Sequence, residues 1–148
     1  MNCLEDAMLP FSRMKHICFD VENIEEAENR FSKIFGIRSA GIRTISLEDG
    51  KGTVKTTFFH LEEGSIELAC HRLPDSWKDS PINRGPGFHH LAFEVDDFDG
   101  ALSNLARQGV FPLPRFPFET PHGRVAFFPP EQTGGILVEL CEKQEDER

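Results

Sequence analysis

Two histidines and two glutamates are the residues in this chain whose types and spacing could do chemistry. His16 opens "HICFDV" and His90 opens "HLAFEV", so one short strand is written twice. Glu67 lies in "IEL" and Glu139 in "VEL", again as a pair. Side chains alternate along a strand. His16, Cys18 and Asp20 therefore share one face, opposite Ile17, Phe19 and Val21, which should lie under a helix. His90, Ala92 and Glu94 likewise oppose Leu91, Phe93 and Val95. Glu67, Ala69 and His71 oppose Ile66, Leu68 and Cys70, and Leu137, Glu139 and Cys141 oppose Ile136, Val138 and Leu140. A carboxylate buried unpaired in an apolar strand is costly, so a glutamate repeated there needs a partner. If both halves curl, pseudo-symmetry brings His16, Glu67, His90 and Glu139 towards one point. Two imidazoles and two carboxylates suit one divalent cation, with one or two positions left for water or substrate.

The elements that must position these residues repeat too. After each histidine strand comes a helical pattern: Ile24, Ala27, Phe31, Ile34 and Phe35 in one half, Phe98, Ala101, Leu102 and Leu105 in the other. That spacing gives one buried face. Asn23 and Asp97 are the expected N-caps, with Glu26 completing a capping-box pattern, and Gly36 and Gly109 suit the left-handed residue after each helix. Extended pieces follow: "RTISL", "GTVKTTFFH" and "SIELACHR", then "VFPLP", "GRVAFFP" and "GILVELCE". Turn formers separate them. Each half reads β-α-β-β-β, about residues 14–72 and 88–142, joined by the Pro- and Gly-rich connector "HRLPDSWKDSPINRGPGF". A module of that size has little core of its own. The expected fold is one α+β domain over residues 1–148: two tandem βαβββ modules forming a curved mixed sheet around a metal-binding cavity, helices on the outer face.

Composition narrows the function. A net charge of −9 argues against nucleic acid as a partner, since that affinity comes from Lys and Arg on phosphates. No apolar run approaches the ~20 residues of a membrane span. The 14 Phe with no Tyr carry no polar handle, so most should fill core or line an apolar pocket. Cysteines stand at 3, 18, 70 and 141 without a CxxC pair, and "MNCLEDAMLPFSRMK" lacks a signal-peptide pattern, so a reducing cytoplasm is expected. Cys18 and Cys141 read as small pocket fillers, "HLEEG" with His60 as a solvated hairpin, and the tail "CEKQEDER" as frayed.

With the four candidate ligands in place, the chain from about Met14 to Glu142 resembles the vicinal oxygen chelate superfamily, which includes glyoxalase I, methylmalonyl-CoA epimerase and extradiol dioxygenases. "DSPI", "GFHHLAFEVDD" and "PHGRVAFFPPEQTGGILVEL" look most like the methylmalonyl-CoA epimerase branch. The resemblance implies one divalent ion (Zn, Ni, Co or Mn) held by His16, Glu67, His90 and Glu139. The epimerases often carry Gln at the position of Glu67, and bacterial glyoxalase I uses the two-His, two-Glu set. It implies an enolate stabilised by the cation, with Glu139 both ligand and acid/base group. Where the epimerases carry a second catalytic Glu, the aligned residue is Lys55. Lys55 would act as a base if its pKa were depressed, or pair with a substrate carboxylate or phosphate. His122, in the "PHG" turn, is a candidate substrate contact and His71 a candidate support for Glu67. The implied substrate is an acyl-CoA thioester or another carbonyl compound, and a homodimer is expected by analogy. A glyoxalase I-like lyase acting on a thiol hemithioacetal, a metal-free binding protein like the bleomycin-resistance proteins, and an Fe(II) extradiol oxygenase are the alternatives.

Overall fold

The protein is described from a computed structural model covering residues 11, 13–47 and 50–144. Cys3, most of the N-terminal stretch and the last residues of the acidic tail lie outside the described residues. The elements run β1 (Met14–Asp20), α1 (Ile24–Phe35), β2 (Arg43–Leu47), β3 (Gly52–His60), β4 (Ser65–Arg72), β5 (Gly87–Val95), α2 (Phe98–Arg107), β6 (Phe118–Thr120), β7 (Gly123–Phe128) and β8 (Val138–Glu142). The fold is α+β, with the βαβββ order written twice. In the first module the strands lie in the order β2-β3-β4-β1, and in the second β5-β8-β7-β6. β1 runs parallel to β4 and β5 parallel to β8, while the remaining pairs in each set are antiparallel. Two compact units result: one from His16 to His90, the other taking the residues before His16 and those from Leu91 onward.

Local signals explain the first module. Asn23 accepts a 2.9 Å hydrogen bond from the Glu26 amide, which satisfies a donor the helix start would otherwise leave open. Gly36 ends α1 at φ 68, where a side chain would be strained. Ile24 of α1 packs with Phe59, Leu68 and Cys70, flanked by Ala27, Phe31 and Ile66. α1 lies over β3 and β4. Phe19 of β1, expected beneath a helix, is 37% exposed and meets Phe88 edge-on at 6.2 Å.

The connector is more than a spacer. Trp77, in a 3-10 turn at Asp75–Trp77, and Ile82 are both buried. Gly52 opens β3 because a Cβ there would meet Pro74 Cδ at 2.5 Å.

In the second module Asp97 caps α2 through the Gly100 amide at 3.0 Å, and Gly109 follows the helix at φ 80. Phe98 and Ala101 pack on Val95, Ala126, Phe128 and Leu140. The strand expected at "VFPLP" is absent. Pro112 and Pro114 have no N–H to give a ladder, and the Leu113 amide between them reaches β7, at 2.8 Å to the Phe127 carbonyl. The strand position is filled by β6 instead.

Arg124 of β7 ties this module together. Its guanidinium bonds Asp99 at 2.9 Å and Glu142 at 2.9 Å and lies 4.7 Å from the Phe98 ring centre. Its hydrogen bonds hold both carboxyls below their ordinary range. A depressed folded-state pKa adds stability that is present at neutral pH and lost as pH falls through that pKa. Arg124→Gln is therefore expected to lower the urea midpoint at pH 7, and the deficit should shrink in acid once both carboxyls are protonated. A deficit independent of pH would mean that the clamp acts through packing on Phe98 alone.

Candidate metal centre

The face of β4 turned away from α1 carries Glu67, Ala69 and His71, as alternation requires. Cys18 pairs in register with Glu67, so His16, Cys18 and Asp20 of β1 share that face. Three donor atoms meet there. His16 Nε2 lies 3.0 Å from His90 Nε2 and 3.1 Å from Glu67 Oε1, and His90 Nε2 lies 3.6 Å from the same oxygen. The side chains are buried, at 6%, 4% and 12% exposure for His16, His90 and Glu67. An ion about 2.0–2.2 Å from each donor needs donor separations of roughly 2.8–3.6 Å, spanning octahedral to tetrahedral angles. The observed triangle fits that requirement, and its donor set suits a borderline divalent cation.

Supporting contacts surround the triangle. Thr56 Oγ1 donates to Glu67 Oε2 at 2.5 Å, which leaves Oε1 facing the imidazoles. Phe58 lies against His16, ring centres 5.4 Å apart. His89 Nδ1 sits 2.7 Å from His90 Nδ1, and His89 Nε2 sits 2.6 Å from the Ile82 carbonyl. His71 stacks on His89, ring centres 4.4 Å apart and planes within 13°, and its Nδ1 donates to Asp20 at 2.9 Å. Burial foremost, then the neighbouring His71 and His90, pushes the His89 pKa down to about 4. At neutral pH His89 is therefore uncharged.

With this geometry in hand, comparison with known proteins decides the family. The chain belongs to the Glyoxalase/Bleomycin resistance protein/Dioxygenase superfamily. Its family model matches residues 15–128. The uncharacterized protein YqjC of Bacillus subtilis (strain 168) is 32% identical over 142 residues, 92% of this chain and 96% of its own length. Human mitochondrial methylmalonyl-CoA epimerase is 30% identical over 135 residues, 86% of this chain and 72% of its own. The crystal structure of methylmalonyl-CoA epimerase from Mycobacterium tuberculosis matches with a TM-score of 0.71 at 23% identity, over 93% of each chain, a likeness of fold.

Against the superfamily pattern, the expected residues separate. His16, Glu67 and His90 converge. Glu139 belongs to the other compact unit, where it is buried on β8 in register with Ala92 and Phe127. Like Glu67, it occupies the strand position next to a residue packed under the helix, here Leu140. Lys55 is not brought to the cluster. It pairs in register with Cys70, beneath α1, and its ammonium bonds Glu25 of that helix at 3.3 Å. Strand alternation gives the cluster face of β3 to Thr56 instead. His122 is exposed at the β6–β7 turn, its amide bonded to Thr120 Oγ1 at 3.1 Å. His71 touches His89 and Asp20, one step further from Glu67 than expected. Cys18 and Cys141 are buried, and exposed His60 bonds Ser65 within its hairpin.

Sequence reasoning missed Thr56, Asp20 and His89. The doubled "HH" was the available signal for His89. Outer contacts to a ligand typically control metal affinity by 10- to 100-fold. Thr56→Val should thus weaken divalent-ion binding by about tenfold, and Lys55→Ala should leave it unchanged within a few-fold. Calorimetric titration of the two variants checks both, and equal losses would break the assignment of faces.

Proposed function

We propose that this chain is a divalent-metal-dependent enzyme of the epimerase type, moving a proton α to the carbonyl of an acyl-CoA thioester through an enolate. The observation that carries the reading is the convergence of His16 Nε2, His90 Nε2 and Glu67 Oε1 on a buried point. The 30% identity to human methylmalonyl-CoA epimerase supports the reaction class. A bound cation would supply Lewis-acid stabilisation of the enolate oxygen. The chain supplies the rest. His16, Glu67 and His90 fix the geometry, Thr56 orients the carboxylate, and Phe58 helps to keep bulk water from the donors. Glu139 is carried as fourth ligand and acid/base group on the strength of the repeat, and His122 as a substrate contact from its exposed turn.

A glyoxalase-like lyase is the second reading, and one observation favours it. Epimerisation calls for a second proton-moving group, and β3 offers the cluster a threonine rather than a carboxylate or amine. A mechanism in which one ligand carboxylate shuttles the proton has no such need. No helix of the described residues is long and apolar enough to cross a membrane. A cytoplasmic site of action is part of the proposal.

The purified protein should carry close to one divalent ion per chain, measured by mass spectrometry of the metal. His90→Ala should lower affinity by at least 100-fold, since it removes a ligand outright. In D2O, methylmalonyl-CoA should exchange its α-hydrogen, while the glutathione hemithioacetal should not. Exchange into the hemithioacetal alone selects the lyase. A protein that neither holds nor binds metal eliminates both.

A further inference from the structure

Residue 90 must offer a bare Nε2 if it is to bind an ion, yet a histidine side chain left to itself favours the tautomer that carries its proton on Nε2. Contacts behind the ring reverse that preference. A carbonyl oxygen only accepts, so the 2.6 Å contact to Ile82 fixes the proton of His89 on Nε2. A neutral imidazole with its one proton on Nε2 presents a lone pair at Nδ1. The 2.7 Å contact between the two Nδ1 atoms then requires the proton on His90. His90 is left with Nδ1–H behind and a lone pair on Nε2, the atom 3.0 Å from His16 and 3.6 Å from Glu67.

We propose that His89 is the positioning residue of this centre, a relay from the Ile82 carbonyl that sets the tautomer and ring orientation of His90 before any ion arrives. The proposal rests on reading His90 as a metal ligand. His89 is itself held rigidly. It is fully buried, and His71 stacks on it at 4.4 Å with nearly parallel planes, while the Asp20 carboxylate accepts from His71 Nδ1 and fixes that ring. Ile82 comes from the connector, so the buried part of that segment has a task beyond joining the modules. Outer-shell acceptors that fix a ligand histidine are a general device of metal sites, most often a carboxylate or a backbone carbonyl. Here a second histidine stands between the carbonyl and the ligand.

The test reads the tautomer directly. Long-range proton–nitrogen correlation spectra of the 15N-labelled, metal-free full chain should show His90 protonated on Nδ1. In His89→Leu, which has no acceptor, His90 should shift towards Nε2–H. In His89→Asn, whose side-chain carbonyl stands near the former Nδ1, it should remain on Nδ1. Zinc affinity, measured by competition with a chromophoric chelator, should fall 10- to 100-fold in His89→Leu and stay within a few-fold of the parent in His89→Asn. The parent spectrum alone decides the tautomer if a variant fails to fold. A parent His90 protonated on Nε2, or zinc bound as tightly by His89→Leu, overturns the role of His89. A parent with the Nδ1–H tautomer that binds no zinc overturns the metal reading instead.

Discussion

Burying a carboxylate between two imidazoles is the constraint on which this centre depends. Glu67 keeps 12% of its side chain exposed and lies 3.1 Å from His16 Nε2. Taking such a charge out of water costs several kcal/mol unless each lone pair finds a donor. Thr56 answers on one oxygen, and the other lies 3.1 Å from His16 Nε2 and 3.6 Å from His90 Nε2. Removing one partner would leave the others buried and uncompensated, which is why such networks are costly to break piecemeal. A divalent ion at the meeting point would resolve the same problem more completely, since one positive centre would satisfy all three lone pairs at once.

The two-residue period of a strand makes this arrangement possible. On β4, Ile66, Leu68 and Cys70 face α1, and Glu67 and His71 must then face the other way. One face carries the apolar core and the other carries the polar centre, so the core can be well packed without intruding on the chemistry. Phe19 marks where the division weakens, since on the face of β1 opposite His16 it stays 37% exposed.

Much of this was legible in the order of residues, for reasons that can be located. β3 and β4 appear where the sequence places them, because alternation is strong and turn formers flank both strands. Caps at Asn23 and Asp97 follow from side chains that reach only their own helix. The strand expected at "VFPLP" fails because Pro112 and Pro114, for all the apolar content around them, have no N–H groups to give a ladder. Lys55 aligns with the epimerase carboxylate, but its neighbour across the ladder, Cys70, packs under α1 and puts Lys55 on the helix side. Thr56, one residue on, takes the cluster face by the same alternation. His89 was invisible to a strict two-residue period, which turns it away from His90. Its ring instead packs on His71, a contact made across some eighteen residues of chain and set by tertiary packing.

The rigidity of His90 bears on which groups can move a proton. A histidine that shuttles protons needs one nitrogen facing the reacting atom and a second free to gain or lose its proton cheaply. His90 has neither freedom. Its Nδ1 is committed to a buried, uncharged neighbour, and its Nε2 faces His16 and Glu67. Any further proton on the ring would have to go to Nε2, the atom that the ligand reading commits to a cation. The doubled histidine therefore makes a good ligand at the expense of a poor acid or base. In the proposed reaction, proton transfer then falls to carboxylates, in keeping with the acidic residue that both halves of the chain repeat.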